Sequence, residues 1–496
     1  MIRIALIRGI ACICGVVAFP LLLLYRLLSM VVSQLSKWCG KGKEQQEEDQ
    51  ITSKGLKRVY RTVITILRKS YWKIHHVGRY VYWEIYFPIS RRLYKNLSRY
   101  AYINLFFVFL KRYVRHSKGR LRSIRISGVK EYLDKYGQNT SYQVVETGKA
   151  REVCSPAYFE GEKEKIEKFQ SPDIYLAQIK DACLIGGSSV VITDKVLLND
   201  AVYYDKERRV DIRYGAVKYV INGIALIEDG MILKQIERGI NLVGAASFNY
   251  YHLIVEILSR LAFVDRYEQY RNYPILVDEV VLRIPQYRSA LECINKVGHS
   301  VIKIEQDQKY LVKDLVLPSP NVWMPINVYD RKQMRSADFM ISDTVLSNIR
   351  DAVGVWQKRP AWRKIFVSRK NTQAVRLKNE REVRELFAQN DFEIVYTEEM
   401  TFREQIECFG QAKCVVAATG AALTNIIFCQ PETLIGCIIP AQDKFCMYST
   451  IGYILGLKSL FLDAEIVELT PYPASDTFVL NIDYVKKYIN YIQNII

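Results

Sequence analysis

The sequence predicts an α/β fold, built on parallel sheet in its carboxyl-terminal third. From Ile365 onward, short apolar runs alternate strictly with helix-forming stretches. Those runs are apolar at consecutive positions, as strands covered on both faces of a parallel sheet must be. The segment Ala417-Ala418-Thr419-Gly420-Ala421-Ala422-Leu423-Thr424-Asn425 then carries a strand through small residues into a helix. Half of the 496 residues are hydrophobic, enough for two globular domains with appendages.

In the carboxyl-terminal third, Ile365–Ser368 is a strand, Asn379–Gln389 a helix and Phe392–Tyr396 a strand. Thr401–Gln411 is a helix opened by a capping box of Thr401 and Glu404. Cys414–Ala418 is a strand, Ala421–Phe428 a helix and Leu434–Ile439 a strand. Upstream, strands are expected at Ala182–Ile185, Val190–Thr193, Val217–Asn222 and Ile240–Val243, then a helix from Asn249 to Tyr267. Pro274–Val277, Val301–Ile304 and Leu311–Leu317 are strands, Tyr287–Val297 is helical, and a helix over Met334–Val353 joins the halves.

The turn after Ala418 carries chemistry. A helix start leaves backbone N–H groups unpaired, and with the positive end of the helix dipole they suit a phosphate. Gly420, Ala421 and Ala422 let a diphosphate approach the backbone, and Thr424 and Asn425 add side-chain hydrogen bonds. An ordinary tight strand–helix turn is the competing reading. Parallel sheets bind ligands beyond the carboxyl ends of their strands, where Ser368-Arg369-Lys370 and Thr419-Gly420 both fall. Arg369, Lys370 and Arg376 can neutralise a diphosphate there, or be solvated loop charges.

Charge is segregated along the chain. Residues 54–125 hold 19 Lys and Arg against one acid, Glu84, an excess equal to the +18 of the whole molecule. The remainder is near neutral, so the basic balance describes a collar rather than the body. In that collar Leu56, Val59, Tyr60, Val63, Ile66 and Leu67 share a helical face opposite Lys57, Arg58, Arg61, Arg68 and Lys69. Tyrosines, tryptophans and arginines come next in the chain, a composition suited to an anionic membrane surface. RNA binding is the rival for such a patch. Between Arg8 and Arg26 lie 17 uncharged residues, read as an uncleaved anchor, with a cleaved signal peptide as the alternative. Positive charge beyond the anchor puts the bulk of the chain on the cytoplasmic side, and the anchor immediately upstream of the collar favours lipid over nucleic acid. Eleven cysteines without a CxxC pair suit a reducing compartment. Asn96-Leu97-Ser98 and Asn139-Thr140-Ser141 match the glycosylation pattern by chance frequency.

A general base is sought among few histidines. His252, Glu256 and Arg260 stand at i, i+4 and i+8 on the predicted helix, sharing one stripe. A histidine on a first helical turn can take a proton near neutral pH, or simply cap the helix.

These residues resemble glycosyltransferase family 61. The resemblance rests on Asn249-Tyr250-Tyr251-His252 with Glu256 and Arg260-Leu261, and on Ile365-Phe366-Val367-Ser368-Arg369 with Arg376 and Asn379-Glu380. Glu399, Phe402, Gln405 and the Thr419–Asn425 turn complete it, over residues 180 to 470 or so. It implies a GT-B-like enzyme, two Rossmann-like domains facing a cleft, transferring sugar from a nucleotide diphosphate with inversion in capsular polysaccharide biosynthesis. Many members carry His where this chain has Thr419, which leaves only a hydroxyl there.

The domain expectations are an anchor at 1–40, a membrane-surface region at 41–135, an acceptor-side domain at 136–335 and a nucleotide-sugar domain at 336–496. His252 is the expected base, with Glu256 as its partner or substitute. Asn249, Arg369, Lys370, Arg376, Glu399, Thr419, Gly420, Ala421, Ala422, Thr424 and Asn425 are the expected substrate- and nucleotide-contacting set. No Asp-x-Asp motif occurs, so no metal and no cofactor is expected, with a UDP-sugar as donor. A glycan or lipid-linked glycan is the acceptor. The alternatives are a pyruvyl transferase acting on polysaccharide and a non-catalytic scaffold of a polysaccharide assembly complex.

Overall fold

The computed structural model describes residues 120–496, apart from 138–140, 201–216, 222, 230, 324–333, 355–359, 371–375, 444 and 469–475. The expected anchor, nearly all of the basic collar and the asparagines of both glycosylation patterns fall outside the described residues. Among those described, no helix is long and apolar enough to cross a membrane. By its contacts the chain divides between His116 and Ser117, and every described residue lies in the second unit, Ser117–Ile496.

The carboxyl-terminal sheet is the regular one. Its five strands lie in the order Glu393–Tyr396, Arg363–Ser368, Ala412–Ala418, Leu434–Ile438, Lys458–Ser459, every neighbouring pair parallel. In chain order this is 2-1-3-4-5, so the winding reverses between Arg363–Ser368 and Ala412–Ala418. Ile365, Phe366, Val415 and Val416 are fully buried, as the continuous apolar runs require. The helix Phe402–Gly410 opens on the expected capping box: Glu404 N donates to Thr401 Oγ1 at 3.2 Å and Thr401 N to Glu404 Oε2 at 2.7 Å.

The amino-terminal sheet is mixed: a Rossmann-like part carries an extension that the expectation did not include. Four parallel strands, in the order Val301–Ile304, Ile275–Asp278, Ile232–Leu242, Lys309–Pro318, make a Rossmann-like core. Beyond Lys309–Pro318 the sheet continues through Ile174–Ile185, which is antiparallel to it, to eleven strands in all among the described residues. Links such as the one between Ile174–Ile185 and Val191–Ile192 are too short to return a strand in parallel, so the extension is antiparallel there.

Three expected helices differ in kind. Asn249–Tyr267 is not uniformly α-helical: it holds a π-helical turn at His252–Ile257, a 3₁₀ turn at Leu258–Arg260 and an α-helical turn at Leu261–Val264. Met334–Val353 shortens to Asp343–Val353, because the extended Ser342 starts the helix; a 3₁₀ turn at Ser336–Phe339 precedes it. Ala421–Phe428 is a 3₁₀ helix whose far end is fastened by Arg350, which donates to Ile427 O at 2.7 Å and Cys429 O at 2.8 Å.

One core joins the two sheets. Ile365, Val367, Val415, Ala417, Leu423 and Phe428 from the second pack in the same cluster as Ile240, Leu242, Tyr250, Tyr251, Leu253 and Ile254 from the first.

Candidate functional site

Each sheet delivers its chemistry at a carboxyl strand end where the winding reverses. In the second sheet, Arg363–Ser368 ends at Arg369 and Ala412–Ala418 ends at Thr419-Gly420. Arg369 crosses between them and donates from Nη2 to Thr419 O at 3.3 Å. Its guanidinium lies against Gly420 so closely that a Cβ at that position would overlap Nη2. Glycine is therefore needed for the approach of a side chain rather than for a turn. On the other strand end, Ser368 Oγ donates to Glu380 Oε1 at 2.6 Å, and the same carboxylate accepts from Arg369 N at 3.3 Å. The start of the helix Glu380–Gln389 thus fixes where Arg369 begins.

Tyr448, on the helix Met447–Leu455, completes this corner, and no sequence signal pointed to it. Its hydroxyl donates to Gly420 O at 2.6 Å. Burial pushes its pKa up, while the Arg369 and Arg376 charges pull the other way, so both guanidiniums lie near it. Arg376 also donates to Asp476 O at 3.2 Å and lies over the Phe478 ring at 5.3 Å. Nothing in the local sequence marks Tyr448, because its partners are 28 to 79 residues away in the chain. Thr419 is buried, its N–H donating to Ile438 O at 3.0 Å. The first N–H groups of the 3₁₀ helix, at Ala421 and Ala422, have no partner inside it by geometry.

In the first sheet, Ile232–Leu242 runs into a loop and then into the helix bearing His252. His252 Nδ1 stands 2.8 Å from Glu256 Oε2, at ion-pair distance but off line for a hydrogen bond. Burial works against the imidazolium, but the Glu256 carboxylate outweighs it, and the His252 pKa rises above its ordinary value. Further along, burial pushes the Arg260 guanidinium down while Glu256 pulls it back. The hydroxyl of Tyr251, Glu256 Oε1 and Arg260 Nε are all buried without a hydrogen-bond partner. Unpaired polar atoms this concentrated around one π-helical turn make it a candidate ligand site.

The two corners are neighbours. The Tyr251 pKa is driven well up by burial first, then by the Glu256 carboxylate and by Tyr448. Its ring meets the His252 ring edge-on, 5.3 Å between centroids. Tyr251 therefore feels both Glu256 and Tyr448, and it packs in one core cluster with Tyr448.

Several expected contact residues are otherwise engaged. Asn425 is fully buried, its carbonyl accepting from Tyr250 Oη at 2.6 Å and its amide donating to Gln405 Oε1 at 2.8 Å. Gln405 in turn donates to Thr397 O at 3.0 Å. Asn425 thus braces the His252 helix against the second sheet and presents nothing to a ligand. Asn249 caps its own helix, its side chain accepting from Tyr251 N at 3.0 Å. Lys370 Nζ donates to Glu399 Oε1 at 2.7 Å, so these two hold each other at the rim. Thr424 is buried with its hydroxyl unpartnered. Among the described residues no group of three His, Cys, Asp or Glu side chains gathers as a metal site would.

A parallel sheet offering cations and small-residue amides, beside a histidine–carboxylate pair carried by a second sheet, is the equipment of an α/β transferase. Residues 250–436 match the family model described as Glycosyltransferase 61, which assigns this segment of the chain to glycosyltransferase family 61. That segment contains His252, Glu256, Arg369, Gly420 and Asn425. No curated protein matches the chain.

Proposed function

We propose that the protein is a membrane-associated inverting glycosyltransferase that moves a sugar from a nucleotide-diphosphate sugar, a UDP-sugar in the first instance, to a glycan acceptor. The observation that carries this reading is the Arg369 guanidinium lying on Gly420 where the winding of the parallel sheet reverses, with Tyr448 beside it. In this proposal the diphosphate occupies that corner, against Arg369, Arg376 and the amides of Ala421 and Ala422. Charge develops on the diphosphate as the anomeric carbon–oxygen bond breaks, and fixed cations and amides stabilise it there. The acceptor hydroxyl attacks from the opposite face and loses its proton to neutral His252 as the new glycosidic bond forms. Glu256 orients His252 and stabilises the imidazolium. The GT-B-like cleft, the surface or capsular polysaccharide role, the cytoplasmic setting and the absence of a metal requirement belong to the same proposal. The collar at residues 54–125, with its excess of lysine and arginine, supports attachment to anionic lipid.

The test is a thermal-shift screen of the purified full chain against nucleotide sugars, UDP and phosphoenolpyruvate, then turnover of each stabilising donor. Stabilisation by UDP and one UDP-sugar is the expected result. Stabilisation by phosphoenolpyruvate alone would make it a pyruvyl transferase, and no response to any donor would favour a scaffold. Co-sedimentation with anionic vesicles, abolished at high salt, tests the membrane assignment.

A further inference from the structure

The turn in front of the His252 helix exposes an aromatic ring that the proposed transfer does not use. Phe248 keeps 58% of its surface in solvent, while Tyr250, Tyr251 and Leu253 immediately after it are buried. It stands one residue before the capping Asn249, where an apolar side chain ordinarily folds back onto the fourth helical residue. That residue is Leu253, which is fully buried while most of Phe248 stays in solvent. Phe248 thus leaves more than half of its surface in solvent at a position where a staple would bury it.

The backbone under the ring is nevertheless fixed. Tyr287 donates its hydroxyl to Phe248 O at 3.0 Å, and its ring lies 6.0 Å from that of Tyr250. Burial pushes the Tyr287 pKa up to about 12, so its hydroxyl keeps the proton that it donates. The preceding residue, Gln286, donates to Glu398 O at 3.2 Å and Met400 O at 3.3 Å. One short helix, Pro285–Ile294, thus ties the Phe248 turn to the rim formed by Glu399 and Lys370. An exposed ring on a tethered backbone, one helical turn ahead of the base and linked through that helix to a carboxylate–ammonium pair, suits a pyranose. Its axial C–H face packs on an aromatic ring, and its vicinal hydroxyls bond to charged groups.

We propose that Phe248 is the stacking platform of the acceptor site, holding a pyranose ring so that one of its hydroxyls faces His252. This deepens the glycosyltransferase reading and rests on it. The experiment measures wild type, Phe248→Ala and Phe248→Trp by binding to an array of immobilised pyranose glycans in the presence of UDP, with UDP affinity measured separately. The proposal expects glycan binding by wild type, an at least tenfold weaker apparent Kd for Phe248→Ala, near-wild-type binding for Phe248→Trp, and one UDP affinity throughout. Unchanged glycan binding by Phe248→Ala overturns it. So does an equal loss of UDP affinity, or a wild type that binds UDP but no glycan. If glycan binding tracks Phe248 while UDP does not bind at all, the platform stands and the donor assignment falls.

Discussion

Replacing Gly420 by alanine separates binding from folding in one step. The added Cβ would overlap Arg369 Nη2, yet that atom is the far end of a flexible side chain, so the guanidinium can swing away and the backbone need not move. Its swing breaks the 3.3 Å bond to Thr419 O and removes the cation from the strand-end corner. A hydrogen bond from a charged donor is worth about 1.5–3 kcal/mol, which converts to an affinity loss of about 10- to 150-fold. Titration calorimetry with UDP on wild type, Gly420→Ala, Arg369→Ala and the double variant reads this directly. Because both changes act through one guanidinium, the double variant should bind little worse than Arg369→Ala alone. Additive losses, or a wild-type Kd for Gly420→Ala with the melting temperature unmoved, would refute the shared corner.

Other outcomes rest on the same geometry. His252→Ala should abolish transfer while UDP affinity stays at the wild-type value; residual turnover at the wild-type rate removes His252 from the chemistry. The base must be neutral to accept a proton, so kcat/KM should rise with pH through an apparent pKa above the ordinary histidine value of 6.5. Glu256→Gln should shift that acid limb to lower pH, since only burial then acts on the ring, and an unmoved limb would contradict the pairing. In stability the sign is the opposite of activity. The His252–Glu256 pairing contributes fully below the unfolded histidine pKa and is lost as pH rises through the raised folded value. Asn425→Leu strands the Tyr250 hydroxyl and Gln405 Oε1 in the core, at about 1–3 kcal/mol for each orphaned group. Urea unfolding at wild-type denaturant concentrations would show instead that the brace carries no load.

What the sequence displayed was local. Consecutive apolar residues at 365–367 and 414–418 announced the parallel sheet, and Thr401 with Glu404 announced a helix start, because each signal is written within one element. The meeting of Arg369 with Gly420 was also legible, since parallel strands must end on one edge. Tyr448 and Arg350 were invisible because they act through contacts across 28 and 77 residues, with no periodicity to betray them. Asn425 misled for the opposite reason. Its place in a small-residue turn suggests a ligand, but full burial between Tyr250 and Gln405 assigns it to packing. The antiparallel extension of the first sheet was hidden because its shortest strands, Val191–Ile192 and Val196–Leu198, are too brief to show alternation.

The π-helical stretch at His252–Ile257 widens one turn of its helix. Upstream of it the side chains are timed to the seam between the sheets, and downstream, at Leu261, Phe263 and Val264, to the core beneath. The wide turn takes up one residue more than ordinary winding would, so deleting one here would restore an ordinary helix and leave the flanking segments close to their present phase. The loss would fall inside the turn itself, where His252 and Glu256 would no longer meet at their present spacing.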